Sequence, residues 1–204
     1  MGTATKTGPS TCAAIILAAG QGKRFGANKI AEAHLHGEPI GLVTAKTFAR
    51  VLPTFVVVRL DDETTAQLFQ DAGFETIVAT HAHRGMGNSV AAGVSAVDAK
   101  GFDCCLIGLG DMPLVSRTTV QQLKSLLDDG HDIVRPRYRG QAGNPVGFQR
   151  RFFQTLADLR DDEGARNVID AHRELVVYCD VDDPGVLADI DTPADLDSTL
   201  QSLS

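Results

Sequence analysis

The sequence has no tryptophan, two tyrosines and only 5% aromatic residues in all. This argues against an RNA platform built on base stacking, which depends on aromatic faces. A basic excess is also missing. Nineteen Lys+Arg stand against 26 Asp+Glu, a formal charge of −7, so nucleic-acid phosphate backbones find no general footprint. A small phosphorylated ligand needs only a local cluster of positive groups and stays open. No apolar run approaches the ~20 residues of a membrane span. Residues 1–11 carry a single Lys6 and no apolar block, unlike a secretory signal, and read as a disordered tail. The four cysteines, Cys12, Cys104, Cys105 and Cys179, lack the CxxC spacing of a metal knuckle or redox pair. Buried, reduced thiols in a cytoplasmic protein are the expectation.

What is present is a body of ordinary globular composition, 204 residues with 43% hydrophobic and 22% charged. Short apolar runs at 13–19, 55–58, 74–79, 102–109, 132–134 and 175–179 alternate with helix-like stretches at 42–51, 62–72, 87–99, 116–127 and 163–172. Continuous rather than alternating hydrophobicity predicts strands buried on both faces, as in a parallel sheet covered by helices. The alternation predicts βαβ units and an open α/β sheet. A final helix is announced by Thr192 as N-cap, Pro193 at the first helical position and Asp195 three residues after the cap. With no linker inside the body, residues 12–204 read as one domain, and 135–162, rich in Gly, Pro and charge, reads as an excursion from the sheet.

The first strand runs into Gly20-Gln21-Gly22-Lys23-Arg24-Phe25-Gly26-Ala27-Asn28-Lys29. A glycine-rich turn at the carboxyl end of a buried strand is where open α/β folds bind ligands, and its backbone N–H groups suit phosphate. Arg24 and Lys29 add positive charge. The dinucleotide fingerprint would need glycine at Phe25, and the GxxxxGK[ST] phosphate loop fails at the same residue. Gly110-Asp111-Met112-Pro113 places an acid directly after another buried strand, where a carboxylate is costly to desolvate without a cation. A second acid source is Asp189-Ile190-Asp191, where extended alternation puts both carboxylates on one face; complementing the following helix N-terminus is the competing role, above all for Asp189. The pairs His34/His36 and His81/His83 have no third ligand nearby and read as solvated loop residues.

Five motifs in order carry a family resemblance. They are Leu17-Ala18-Ala19-Gly20-x-Gly22-x-Arg24-x-Gly26-x-x-Lys29, Gly85-Met86-Gly87-Asn88-Ser89, Gly110-Asp111-Met112-Pro113, Gly143-Asn144-Pro145-Val146 and Asp189-Ile190-Asp191-Thr192-Pro193-x-Asp195. Together they resemble the nucleotidyltransferases of the molybdenum cofactor guanylyl/cytidylyl type over nearly the whole chain. The resemblance implies a Rossmann-like, three-layer, open and mostly parallel sheet with helices on both faces. It implies transfer of a nucleoside monophosphate from an NTP to a phosphorylated acceptor, with release of pyrophosphate. By similarity, the backbone at Ala18, Ala19 and Gly20 reads the base, Leu17 lies in the nucleotide site, Gly22 and Arg24 hold the triphosphate, and Lys29 neutralises the reacting phosphate. Ser89, in the loop after the third strand, contacts base or ribose, Gly110 lies in the nucleotide site, and Asp111 and Asp191 bind Mg2+.

The family's acceptor motif has His where Asn144 stands, so Asn144 and the nearby Arg139, with Arg135 and Arg137, are candidate acceptor contacts. Leu-Ala-Ala-Gly at 17–20 is typical of cytidylyltransferases, and the extra methyl of Ala19 favours CTP over GTP. The implied acceptor is molybdopterin, and the implied onward partner an apo-molybdoenzyme or its chaperone. A guanylyltransferase of the same cofactor, a sugar-phosphate or methylerythritol-phosphate cytidylyltransferase, and a non-catalytic nucleotide sensor or cofactor chaperone remain alternatives.

Overall fold

The computed structural model describes residues 11–20, 25 and 28–202. In chain order the strands are β1 (Cys12–Leu17), β2 (His34–Leu35), β3 (Glu38–Pro39), β4 (Thr54–Arg59), β5 (Glu75–Ala79), β6 (Cys104–Leu109), β7 (Ile133–Tyr138), β8 (Gln141–Ala142), β9 (Val146–Gln149) and β10 (Val176–Asp180). The helices are α1 (Lys29–Glu32), α2 (Ile40–Ala49), α3 (Glu63–Asp71), α4 (Met86–Ala99), α5 (Arg117–Asp128), α6 (Phe153–Ala157), α7 (Ala165–Ala171) and α8 (Pro193–Ser202). The main sheet has the order β10-β7-β9-β6-β1-β4-β5, with β8 pairing β7, and β2 and β3 form a separate small ladder.

The pairs β1–β4, β1–β6, β4–β5 and β7–β10 are parallel, whereas β9 runs antiparallel to both β6 and β7. The continuous apolar runs behave as their composition dictates: successive side chains enter opposite faces of the sheet. Ile15, Val57 and Ile107 pack with Val90, Val94 and Val97 of α4, Leu156 of α6 and Val168 of α7. Ile16, Val56 and Leu106 face the other way, onto Phe48 of α2, Phe69 of α3 and Leu123 and Leu127 of α5. This is a three-layer, mostly parallel α/β fold, as the hydrophobic pattern predicts.

The segment 135–162 differs from its expected role. It begins inside β7, and Val146-Gly147-Phe148-Gln149 returns into the middle of the sheet as β9. Two parallel neighbours offer unpaired backbone groups there, and a short reversed strand satisfies both. Gly147 makes the fit possible: a Cβ on it would lie 2.5 Å from a Val134 methyl and 2.8 Å from Leu127.

Candidate active site

The site is built where β1 and β6 end. Gly110 N donates to Leu17 O at 2.9 Å, which joins the two strand ends beyond the last paired residues. The buried Thr44 hydroxyl of α2 donates to Gly110 O at 3.1 Å, fixing the turn that presents Asp111. Asp111 O in turn accepts from Ile190 N at 2.9 Å and draws the 189–191 segment to the end of β6. Ile190 is 1% exposed beneath it, so the adjacent Asp191 turns toward the site. Asp189 is exposed, whereas Asp191 meets Lys29, which separates the roles of the two acids.

Behind Asp191 the predicted cap forms reciprocally. Asp195 N donates to Thr192 Oγ1 at 3.2 Å, and Asp195 Oδ2 accepts from Thr192 N at 2.7 Å and from Asp191 N at 3.1 Å. The Thr192 hydroxyl also donates to Asp195 Oδ2, at 2.8 Å, and contributes most among the donors that hold the Asp195 carboxyl below the usual carboxylate range.

Lys29 is not a loop residue, as the glycine-rich reading had it, but the first residue of α1, and it is 8% exposed. Its ammonium donates to Asp111 Oδ2 and to Asp191 Oδ1, each at 2.8 Å. Burial pushes the lysine pKa down, but hydrogen bonds to the two carboxylates outweigh it and the net shift is upward. Asp111 Oδ1 is buried and has no hydrogen-bond partner among the described residues.

The preceding residue anchors α1. Asn28 Nδ2 donates to Asp62 Oδ1 at 2.9 Å and to Thr65 Oγ1 at 2.8 Å, while Asp62 caps α3 by accepting from Thr65 N at 3.0 Å. Neither Asn28 nor Asp62 stands out in the sequence as a site residue, because 34 positions separate them.

These elements frame a cleft of about 610 Å³. Leu17, Ala19, Gly20, Lys29, Ser89, Asp111 and Asp191 line it, so seven of the anticipated positions come together. Ala18 packs in the core behind the wall, and Gly110 lies in the turn below it. Gly22 and Arg24 lie outside the described residues, as do residues 1–10 of the expected tail. Ser89 sits on α4 rather than in a loop, and is 5% exposed.

The opposite wall was not anticipated. It contains His83, Arg84, Met86 and Asp162. Gly85, with φ of 148°, lets the 160–163 segment press against the start of α4; a Cβ there would meet Asp161 backbone at 2.1 Å. Arg84 Nε pairs with Asp161 at 2.9 Å. The Gly85-Met86-Gly87 motif signals this contact, but its flanks carry no sign that they face the cleft.

The proposed acceptor residues lie elsewhere. Asn144 is tied by its N–H to Val186 O at 2.9 Å, and Arg139 occupies the β7–β8 turn at φ 47°, with its guanidinium 5.1 Å from the Tyr138 ring centre. Neither lines the cleft. Arg135 Nε donates to Gly143 O at 2.8 Å, and Arg137 makes a two-point contact with Asp180 at 2.6 and 2.8 Å. That basic run therefore supports the hairpin and β10. The histidine pairs are exposed apart from any metal cluster: no group of three or more His, Cys, Asp or Glu able to hold an ion occurs among the described residues.

An open α/β sheet, with a paired-acid cleft over the carboxyl ends of its inner strands, has the architecture of a Rossmann-like nucleotidyltransferase. The chain belongs to the MobA-like NTP transferase domain family, whose model matches residues 14–176. It is 29% identical over 200 residues to purine catabolism protein PucB of Bacillus subtilis, spanning 93% of this chain and 96% of that protein. It is 31% identical over 175 residues to the bifunctional protein GlmU of Rhizobium leguminosarum, covering 83% of this chain but 37% of GlmU. Among solved structures, Rv0371c of Mycobacterium tuberculosis superposes with a TM-score of 0.82 at 22% identity, over 94% of this chain and 99% of that one. A manganese complex of Rv0371c superposes at 0.77 and 20% identity, over 95% and 100% of the respective chains. At these identities the two structures establish the shared fold. Among the described residues, no helix is long and apolar enough to cross a membrane.

Proposed function

We propose that this nucleotidyltransferase moves CMP from CTP to the terminal phosphate of molybdopterin in the cytoplasm, releasing pyrophosphate. The observation that carries the reading is the meeting of Asp111 and Asp191, from distant parts of the chain, on one buried cation inside the cleft. Membership of a MobA-like family supports the molybdopterin acceptor. Ala19 at the cleft wall supports the pyrimidine, since its methyl narrows the space beside the base.

Nucleotidyl transfer needs positioning and charge neutralisation more than acid–base chemistry. The acceptor phosphate is already a nucleophile at neutral pH. Its oxygen forms the new bond to the α-phosphorus while the bond to the β-phosphate breaks and pyrophosphate leaves, so no side chain has to remove a proton. Lys29, held protonated, supplies positive charge to the reacting phosphate. Gly22 and Arg24 bind the triphosphate in this scheme, and Ser89 and the backbone at 17–20 hold base and ribose. Arg84, on the opposite wall, offers a second positive group to a phosphate.

The acid pair fits a divalent ion. Two carboxylates converge, one with a buried oxygen lacking a partner among the described residues, and magnesium commonly takes one or two carboxylates plus substrate phosphates. Asp111 and Asp191 would hold it, and the ion supplies charge stabilisation to the phosphates when bound.

The test is pyrophosphate release by the purified protein with Mg2+ and CTP or GTP. Molybdopterin, methylerythritol phosphate and a hexosamine 1-phosphate are offered in separate reactions. Turnover with CTP and molybdopterin is expected. Turnover confined to a sugar phosphate would overturn the acceptor assignment, and nucleotide binding with no turnover on any acceptor would make the protein a sensor.

A further inference from the structure

Lys29 stands where an incoming ion would have to sit. Its nitrogen lies 2.8 Å from an oxygen of each carboxylate, and its side chain is 9% exposed. With the ammonium in place, the two acids and one base leave a single net negative charge for a metal to meet. Withdrawn, they leave two.

The lysine is also tethered. Asn28 fastens the start of α1 to Asp62 and Thr65 of the α3 cap, and Gly41 of α2 packs so closely that a Cβ there would be 2.4 Å from Ile30 Cγ2. The backbone of α1 is therefore fixed at both sides, and only the lysine side chain is free to leave. The cleft that Lys29 lines gives it a destination, since a triphosphate there would offer oxygens carrying more negative charge than the acid pair.

We propose that Lys29 is a built-in competitor cation that closes the Asp111–Asp191 pair to divalent metal until a nucleoside triphosphate draws the ammonium away. The proposal rests on the reading of that pair as the metal site. Its consequence is an order of addition: nucleotide first, or nucleotide and metal together, with the free protein binding metal poorly. Asn28 and Asp62 are then positioning residues, acting through Lys29.

The experiment titrates the full-length protein with Mn2+ alone, followed by electron paramagnetic resonance of the free ion. Lys29→Met should bind Mn2+ at least about tenfold more tightly than wild type without nucleotide, because a positive charge a few ångströms from the ion has been removed. Lys29→Arg should stay as weak as wild type. Equal Mn2+ affinity in Lys29→Met and wild type would overturn the proposal. The underlying reading fails separately, if Asp111→Asn and Asp191→Asn bind Mn2+ as wild type does in the presence of CTP.

A measurement on the unaltered protein guards against a poorly folded variant. The 15N signal of the Lys29 ammonium should persist when Mg2+ is added alone and shift when CTP is added without metal. Loss of the signal on Mg2+ alone would equally sink the proposal.

Discussion

Replacing Asp62 by alanine tests how the site is held. Asp62 is 8% exposed and lies outside the cleft lining, yet it accepts from Asn28 Nδ2, Thr65 N and Thr65 Oγ1 at 2.9–3.0 Å. Losing the α3 N-cap costs ~1 kcal/mol. The buried Thr65 groups and the half-buried Asn28 amide lose their charged acceptor, adding ~1–2 kcal/mol, discounted because Asn28 keeps Thr65 Oγ1 at 2.8 Å. The total of about 2–3 kcal/mol corresponds to a fall in Tm of roughly 5–10 °C for a chain of this length. Scanning calorimetry of wild type, Asp62→Ala and Asp62→Asn should show the full loss in the alanine variant. The asparagine variant, which keeps an acceptor for Thr65 N, should recover about half of it. Turnover of Asp62→Ala should fall even at temperatures where it is fully folded, because the Asn28 anchor of α1 is left with the Thr65 hydroxyl alone. A Tm within a degree of wild type, or normal turnover, would refute the claim that this contact holds Lys29 in place.

Three further outcomes are expected. Ala19→Gly should move the ratio of kcat/KM for CTP over GTP toward GTP by about tenfold, within the ~1–3 kcal/mol that one methyl group decides; an unchanged ratio removes Ala19 from base selection. Arg24→Ala should keep the wild-type Tm and lose turnover by about 10²–10³, the scale of one lost transition-state donor; near-normal rates would take Arg24 out of the mechanism. The Lys29 ion pairs raise its pKa above the ordinary lysine value, so their stabilisation is fully present below that value and is lost as pH rises through the higher folded-state one. The stability difference between wild type and Lys29→Met should therefore stay flat from about pH 7 to 10 and shrink only beyond ordinary lysine titration. Shrinkage between pH 8 and 9 in urea denaturation would contradict this.

The sheet was legible because its inner strands are apolar on both faces, a pattern local in sequence and demanded by burial. β9 was not. Four residues including Gly147, set inside a Gly/Pro-rich stretch, carry no strand signal of their own, and two neighbours with unpaired edges impose the conformation. Helix caps could be read where the partners lie three residues apart, as at Thr192 and Asp195. The acids at the strand ends could be read as chemistry because a carboxylate after a buried strand needs a reason. Their common partner could not. Lys29 reaches Asp111 across 82 positions and Asp191 across 162, distances over which only the finished fold decides what meets. The same holds for Arg84 and Met86, which face the cleft because the 160–163 segment docks on Gly85 and Gly87.

The reversed strand has one more consequence. In the main sheet the chain before residue 110 builds one half and the chain after residue 132 the other. The ladder joining them is β6–β9, four residue pairs from Cys104–Gln149 to Ile107–Val146. The seam in the sheet is narrow, but the halves are also stitched beside it. A graft that swaps the distal half between relatives has to preserve those four pairs and the bare Cα of Gly147, and with them the packing of α6 on α4, the 160–163 segment on Gly85 and Gly87, and Asp191 on Lys29.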